Sequence, residues 1–290
     1  MRFILTTLAF SSISLVSAFG AGDGGHHDLP MAAPVVFDLG WFKITNSMIA
    51  MCAVAAVVIF FAQLATRKVA LIPSGLQNFI EYIVESLQSF LAGIMGEELA
   101  RKTFWFFGSV FLFILTMNWM GLIPGVGTIG WHTTDSHGHA GWLPLIRGAN
   151  ADLNMTLALA CIFFVLWIVW SVRANGVGGF LSHIFLYHGE DKGIMKFLLL
   201  IIFFLVGILE VISIMIRPVS LTFRLFGNVY AGESLLEMMV YMGGAFGWLT
   251  ALPFFFLELM VGAIQALVFT LLTAVFTALM CRHDEEEHAH

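Results

Sequence analysis

Four charged residues, Arg217, Arg224, Glu233 and Glu258, stand inside apolar tracts. A charge at mid-membrane depth costs about 3 kcal/mol or more, and such residues face protein or a hydrated cavity. The stretch "IRPVSLTFRLFGNVYAGES", 216–234, holds three of them. Glu210 lies seven residues before Arg217 and on the same helical face, so Arg217 reads as a paired or snorkelling side chain. Arg224 has no acidic residue within one turn. Its face carries Ser220, Gly227, Asn228, Ala231 and Leu235, and small residues there let another helix approach closely. An unpaired cation on such a face expects a partner from another chain. Arginine does not deprotonate in proteins, so Arg224 would act as a fixed positive charge and not as a proton carrier.

Composition bounds the setting. The chain has 290 residues, of which 59% are hydrophobic and 11% charged. With a mean hydropathy of +0.92, it reads as a polytopic membrane protein. The acids behind the net charge of -6 cluster in loops and in the tail "HDEEEHAH". No basic patch suggests nucleic acid, and no phosphate-binding glycine loop suggests ATP, so no cofactor is expected on this chain. Cys52, Cys161 and Cys281 lack ligand spacing and read as packing residues. His132, His137 and His139 share a loop with Asp135 in a spacing that zinc could use, but loop histidines read as solvated. No metal is expected there, at His26-His27 or in the terminal "HAH".

The elements follow from hydropathy and charge. Residues 1–21 resemble a secretory signal, either cleaved or retained as an ordered segment. Residues 22–40 read as an external segment, 41–281 as a single membrane domain and 282–290 as an acidic, His-containing cytoplasmic tail. The first span, 41–66, stops at Arg67-Lys68, which marks the cytoplasmic side. After Pro73, Leu76, Phe79, Ile80, Ile83, Val84 and Leu87 recur at helical spacing opposite Gln77, Glu81, Glu85 and Gln88. That pattern predicts an amphipathic helix at the cytoplasmic interface. Arg101-Lys102 open a span over 103–123, an external loop fills 125–150, and 151–172 cross back to Arg173. A cytoplasmic loop with Lys192 and Lys196 follows.

The last third differs. Residues 196–242 run for about 46 residues, roughly 70 Å as helix, against a bilayer core of about 30 Å. Only Arg217-Pro218 interrupts the run, and a proline can kink a helix without ending it. With 246–281 this predicts a long, steeply tilted hairpin closed by "GGAFG", 243–247. Two upright spans within 196–242 are the competing parse. The fold class is thus an all-α polytopic membrane protein of about five embedded helices plus one amphipathic helix, N-terminus outside and C-terminus cytoplasmic.

Folding the hairpin brings Arg224 and Gln265 level, each about twenty residues from the turn. Glu233 and Glu258 come closer to the turn, at similar depth on its external side, with Glu233 pointing roughly opposite to Arg224. They could line a hydrated path from outside, or stand as interfacial carboxylates near the turn.

"RPVSLTFRLFGNVYAGE" closely resembles the arginine-bearing helix of subunit a of F-type ATP synthases. "IPSGLQNFIEYIVE", "FLFILTMNWMGLIPG" and "ADLNMTLALA" resemble the family's other signature segments, in its order. The resemblance spans roughly residues 40 to 281. It implies an ion-conducting stator, with protons the expected ion, and no catalytic site of its own. The partners implied are a ring of c subunits, b-type peripheral stalk subunits, the rest of the synthase and membrane lipid, in a bacterial inner membrane. The family's essential arginine matches Arg224, its polar partner on the last helix matches Gln265, and its external half-channel carboxylates match Glu233 and Glu258. Asn228 and Ser220, on the arginine's face, are expected to belong to the same ion path. Where relatives place a histidine at one carboxylate position, this chain has glutamate at both. A self-contained channel or transporter using the same hairpin is the alternative, and a plain membrane anchor leaves Arg224 unexplained.

Overall fold

A computed structural model describes residues 33–40, 43–67, 70, 75–123, 126, 130–134, 140–144, 147–185 and 194–281. The signal-like segment, most of 22–40, Lys68, Pro73, Lys192, His137, His139 and the 282–290 tail lie outside the described residues. Among the described residues, six helices carry the fold: α1 (Asn46–Thr66), α2 (Leu76–Met95), α3 (Glu97–Gly121), α4 (Leu153–Phe185), α5 (Ile194–Gly243) and α6 (Gly247–Cys281). Two short antiparallel pairs join them, β1 (Val35–Asp38) with β2 (Lys43–Thr45), and β3 (Gly130–Thr134) with β4 (Ala140–Pro144). All the helices except α2 are long and apolar enough to cross a membrane, which makes the chain an all-α polytopic membrane protein.

Local chemistry sets the boundaries. The first span begins at Asn46, later than the hydropathy limit of 41, because Lys43–Thr45 pairs with β1 and Thr45 caps the helix. The Thr45 hydroxyl accepts from the Met48 amide at 3.4 Å, which satisfies one of the amides a helix start leaves open. Helix α2 ends at Gly96, whose φ of 86° suits glycine at a helix C-terminus. The Gly96 amide closes α2 on Ala92, and its carbonyl accepts from Ala100 to start α3. Glu97 and Glu98 occupy the first turn of α3, where the helix dipole favours acids. Helix α4 runs past the expected limit at Arg173 to Phe185, with a break at Gly176, where φ is 67° and ψ 168°.

Helix α5 is one continuous helix of 50 residues through Pro218, so the parse into two upright spans does not hold. A proline removes a single backbone donor. Here the Thr222 hydroxyl donates to the Pro218 carbonyl at 2.8 Å. A 3-10 turn, Gly244–Phe246, then reverses the chain, with Gly244 at a φ of 50°. The Thr250 hydroxyl reaches back to the Met239 carbonyl at 2.8 Å and ties the two arms at the turn.

The contacts group the chain into two compact units, and the long helices contribute to both. Of the described residues, one unit comprises those within 33–80, 110–156 and 225–268, and holds the turn end of the hairpin. The other comprises those within 81–109, 157–224 and 269–281. Its interior is aromatic: Phe106 stacks on Phe163, and the Trp167 indole donates to the Phe276 carbonyl at 3.0 Å. Arg217 lies in this unit. Its guanidinium bonds Glu210 at 2.7 Å and sits 4.6 Å from the Phe276 ring centroid and 5.7 Å from that of Trp167. The structural reading of Arg217 is therefore the one its surroundings take. Arg217→Gln removes a part-exposed ion pair and a cation–π contact together, so it should lower stability by about 1–2 kcal/mol. Thermal unfolding of the detergent-solubilised complex measures the loss, and an unchanged midpoint would contradict it.

Candidate functional site

Helix α5 presents Ser220, Arg224, Asn228 and Ala231 on one exposed stripe. Steps of four, four and three residues along a helix keep side chains on one face. Leu221, Leu225 and Val229, one position on from the first three, are buried, so the stripe is the side of α5 that the chain leaves uncovered. Among the described residues Arg224 has no ion-pair partner, unlike Arg217. The only large side chain in the stripe is the arginine itself, so a second helix can come close beside it.

On the turn side of Arg224 the two arms of the hairpin meet through polar groups. The Asn228 amide donates to the Gln265 side-chain carbonyl at 2.7 Å. Gln265 thus pairs one turn beyond Arg224. It is only 4% exposed, and its own amide nitrogen finds no acceptor among the described residues. Two turns along α6 toward the 3-10 turn, Glu258 is buried with its carboxylate laid over Gly232. Any side chain at 232 would overlap that carboxylate. Glu258 is therefore level with Glu233, the next residue on α5.

Glu233 turns the other way. Its carboxylate lies against Gly148 and within reach of Gly121, and Arg147 Nε stands 3.5 Å from its Oε2. The side chains of Arg147 and Glu233 are 8% and 20% exposed. A graded series results: Arg147·Glu233 toward the turn, Glu258 beside it, then Gln265·Asn228 at the exposed stripe.

Arg147 is the residue that sequence reading passed over. It falls inside the 125–150 stretch, where the sequence predicts an external loop, yet Arg147–Ala151 is buried. The reason lies in the asparagines and aspartate around it. The Asn150 amide donates to Asn118 Oδ1 at 2.6 Å, and Asn118 donates to the Gly262 carbonyl on α6 at 2.9 Å. The Ser47 hydroxyl donates to Asp152 Oδ2 at 2.6 Å, while Asp152 Oδ1 accepts from the Asn154 amide at the start of α4. Asn150 thus fastens the 147–152 segment to α3, and through Asn118 to α6, while Asp152 fastens it to α1. A run of polar residues, "RGANADLN", wedged between apolar tracts was the available signal.

Residues 48–278 match the family model described as ATP synthase A chain. The chain belongs to the ATP synthase A-chain family. It is 34% identical over 242 residues to "ATP synthase subunit a" of Protochlamydia amoebophila, covering 81% of this chain and 79% of that one. The protein of the same description from Solidesulfovibrio magneticus is 32% identical over 232 residues, 80% of each chain. That of Gloeobacter violaceus is 31% identical over 243 residues, 84% of this chain and 86% of the other. The chain is accordingly a multi-pass subunit of the membrane stator of an F-type ATP synthase. Family membership sets aside the self-contained transporter and the plain anchor.

Asn118 is the hub that fixes the segment bearing Arg147. Asn118→Ala removes two buried hydrogen bonds and leaves the Asn150 amide without that acceptor, which should cost about 1–3 kcal/mol. Chemical unfolding in detergent should register a loss of that size, and a change under about 0.5 kcal/mol would show that the hub does not stabilise the fold.

Proposed function

We propose that this chain conducts ions, protons in our reading, between the two sides of the membrane and the carboxylates of a rotating c-subunit ring. Arg224 separates two offset half-channels, one opening on each side. Glu233 and Glu258 line the external one. Gln265, Asn228 and Ser220 shape the place where the ring carboxylate passes. The chain has no catalytic site of its own, and a b-type peripheral stalk holds it against rotation. The observation that carries this reading is the exposed small-residue stripe on α5 with Arg224 at its centre.

At about 4 Å and an effective dielectric near 20, Arg224 favours an ionised ring carboxylate by roughly 4 kcal/mol. A ring carboxylate that arrives protonated releases its proton before it passes. It must take up another from the opposite half-channel before it meets lipid, because a bare charge in hydrocarbon is too costly to rotate away. The membrane potential adds about 2.3 kcal/mol per charge per 100 mV, and asymmetric access turns that energy into directed rotation. The hydrogen bond between Asn228 and Gln265 keeps the stripe's inner edge in register without placing a second charge there.

Arg224→Ala should abolish coupled ATP synthesis in a complex that still assembles. Arg224→Lys should fail largely as well, because a lysine can lose its proton beside apolar surface and lacks the planar fork. Synthesis at near-normal rate by an assembled Arg224→Ala complex would overturn the assignment.

The orientation we propose puts the 3-10 turn outside, in a bacterial inner membrane, and the 282–290 tail in the cytoplasm. With Cys52, Cys161 and Cys281 replaced, a single cysteine at Phe246 should react with an impermeant thiol reagent in intact cells, and one in the tail should not. The opposite pattern would exchange the two half-channels.

A further inference from the structure

We propose that Arg147 is a positioning residue of the external half-channel, holding the Glu233 carboxylate at its outer end; the inference rests on the function proposed above. Three observations carry it. Arg147 is buried and its Nε lies 3.5 Å from Glu233 Oε2. The Glu233 carboxylate is seated on Gly148, the residue next to Arg147, where any side chain would overlap it. The short 3-10 segment that follows, Ala149–Ala151, is fastened through Asn150 to Asn118, and Asp152 is fastened to Ser47. The arginine is thus delivered on a fixed piece of backbone and not on a free loop.

Stability alone is a poor reason for such a pair. Desolvating two charges offsets most of what their attraction returns, so a buried ion pair is often no more stable than an apolar replacement. The pair instead fixes a geometry. Glu258 and Glu237 stand within electrostatic range of Glu233, so Arg147 serves a group of three carboxyl groups. Without Arg147, the Glu233 carboxylate would lose the cation that stands beside it at Gly148. Held by Arg147, it stays level with Glu258, from which Gln265·Asn228 leads two turns further to the exposed stripe. Arg147 therefore sets the first step of a relay, although it carries no ion itself.

The test is a double-mutant cycle read as ATP-driven and passive proton flux in vesicles bearing the whole synthase. Assembly is checked by ATP hydrolysis that co-purifies with the membrane sector. Arg147→Gln should lower flux about tenfold, and Arg147→Lys should keep it within about threefold of wild type. In a Glu233→Gln background the further loss from Arg147→Gln should be under about twofold, because contacting sites are not additive. Gly148→Ala, which displaces the carboxylate and leaves the charges in place, is the second variant and should lower flux to a similar degree. Wild-type flux in assembled Arg147→Gln or Gly148→Ala, or equal losses in both backgrounds, would overturn the inference and leave the half-channel reading intact. Wild-type flux in Glu233→Gln alone would overturn that reading first, and the inference with it.

Discussion

A charged side chain in hydrocarbon must be paired within its own chain, reached by water, or met by another protein. The charged residues of the α5–α6 hairpin meet that constraint in different ways. Arg217 is paired with Glu210 and walled by two aromatic rings. Glu233 is paired with an arginine from outside the hairpin, and Glu258 lies buried on a glycine beside it. Arg224 alone among these is left on the surface of the helix. Around that exposure the helix carries the small side chains of Ser220, Asn228 and Ala231, which let a further helix come close.

Continuity of α5 is the second constraint. A break at Pro218 would let the segments on either side turn independently, and the stripe from Ser220 to Ala231 would lose its fixed angle to Arg217. Thr222 donates to the carbonyl of Pro218 inside an unbroken helix. The same arm then carries Asn228, Gly232 and Glu233 at angles set by helical geometry alone. Glycines at 232 and 148 are where carboxylates approach backbone, and neither position admits a side chain without moving an acid.

Much of this was legible in the residues. The hairpin's length, the turn at 243–247, the amphipathic α2 and the paired Arg217 follow from periodicity and from one charge seven residues from another. The contrast between Arg217 and Arg224 needed no structure, since an acid either stands within reach along a helix or does not. Arg147 could not be read in that way. Its partner lies 86 positions away, by the numbers of the pair Arg147–Glu233. Its segment looks like a solvated loop until Asn118, Asn150, Ser47 and Asp152 are seen to fasten it. Long-range polar pairs leave no periodic trace, and buried asparagines resemble turn residues until their partners are known. The strand pairing that delays α1 to Asn46 is hidden for the same reason.

The central claim is that the Ser220–Ala231 stripe of α5 faces the ring carboxylate. Zero-length disulfide formation tests it most directly. Single cysteines at Ser220, Asn228 and Ala231, in a background without Cys52, Cys161 and Cys281, would be paired with a cysteine one turn from the ring carboxylate. Cysteines at the buried positions Leu221 and Val229 serve as controls. The account predicts oxidative cross-links from the stripe that stop ATP-driven rotation and are reversed by reduction, with none from the controls. Cross-links from Leu221 or Val229 and none from the stripe would contradict it.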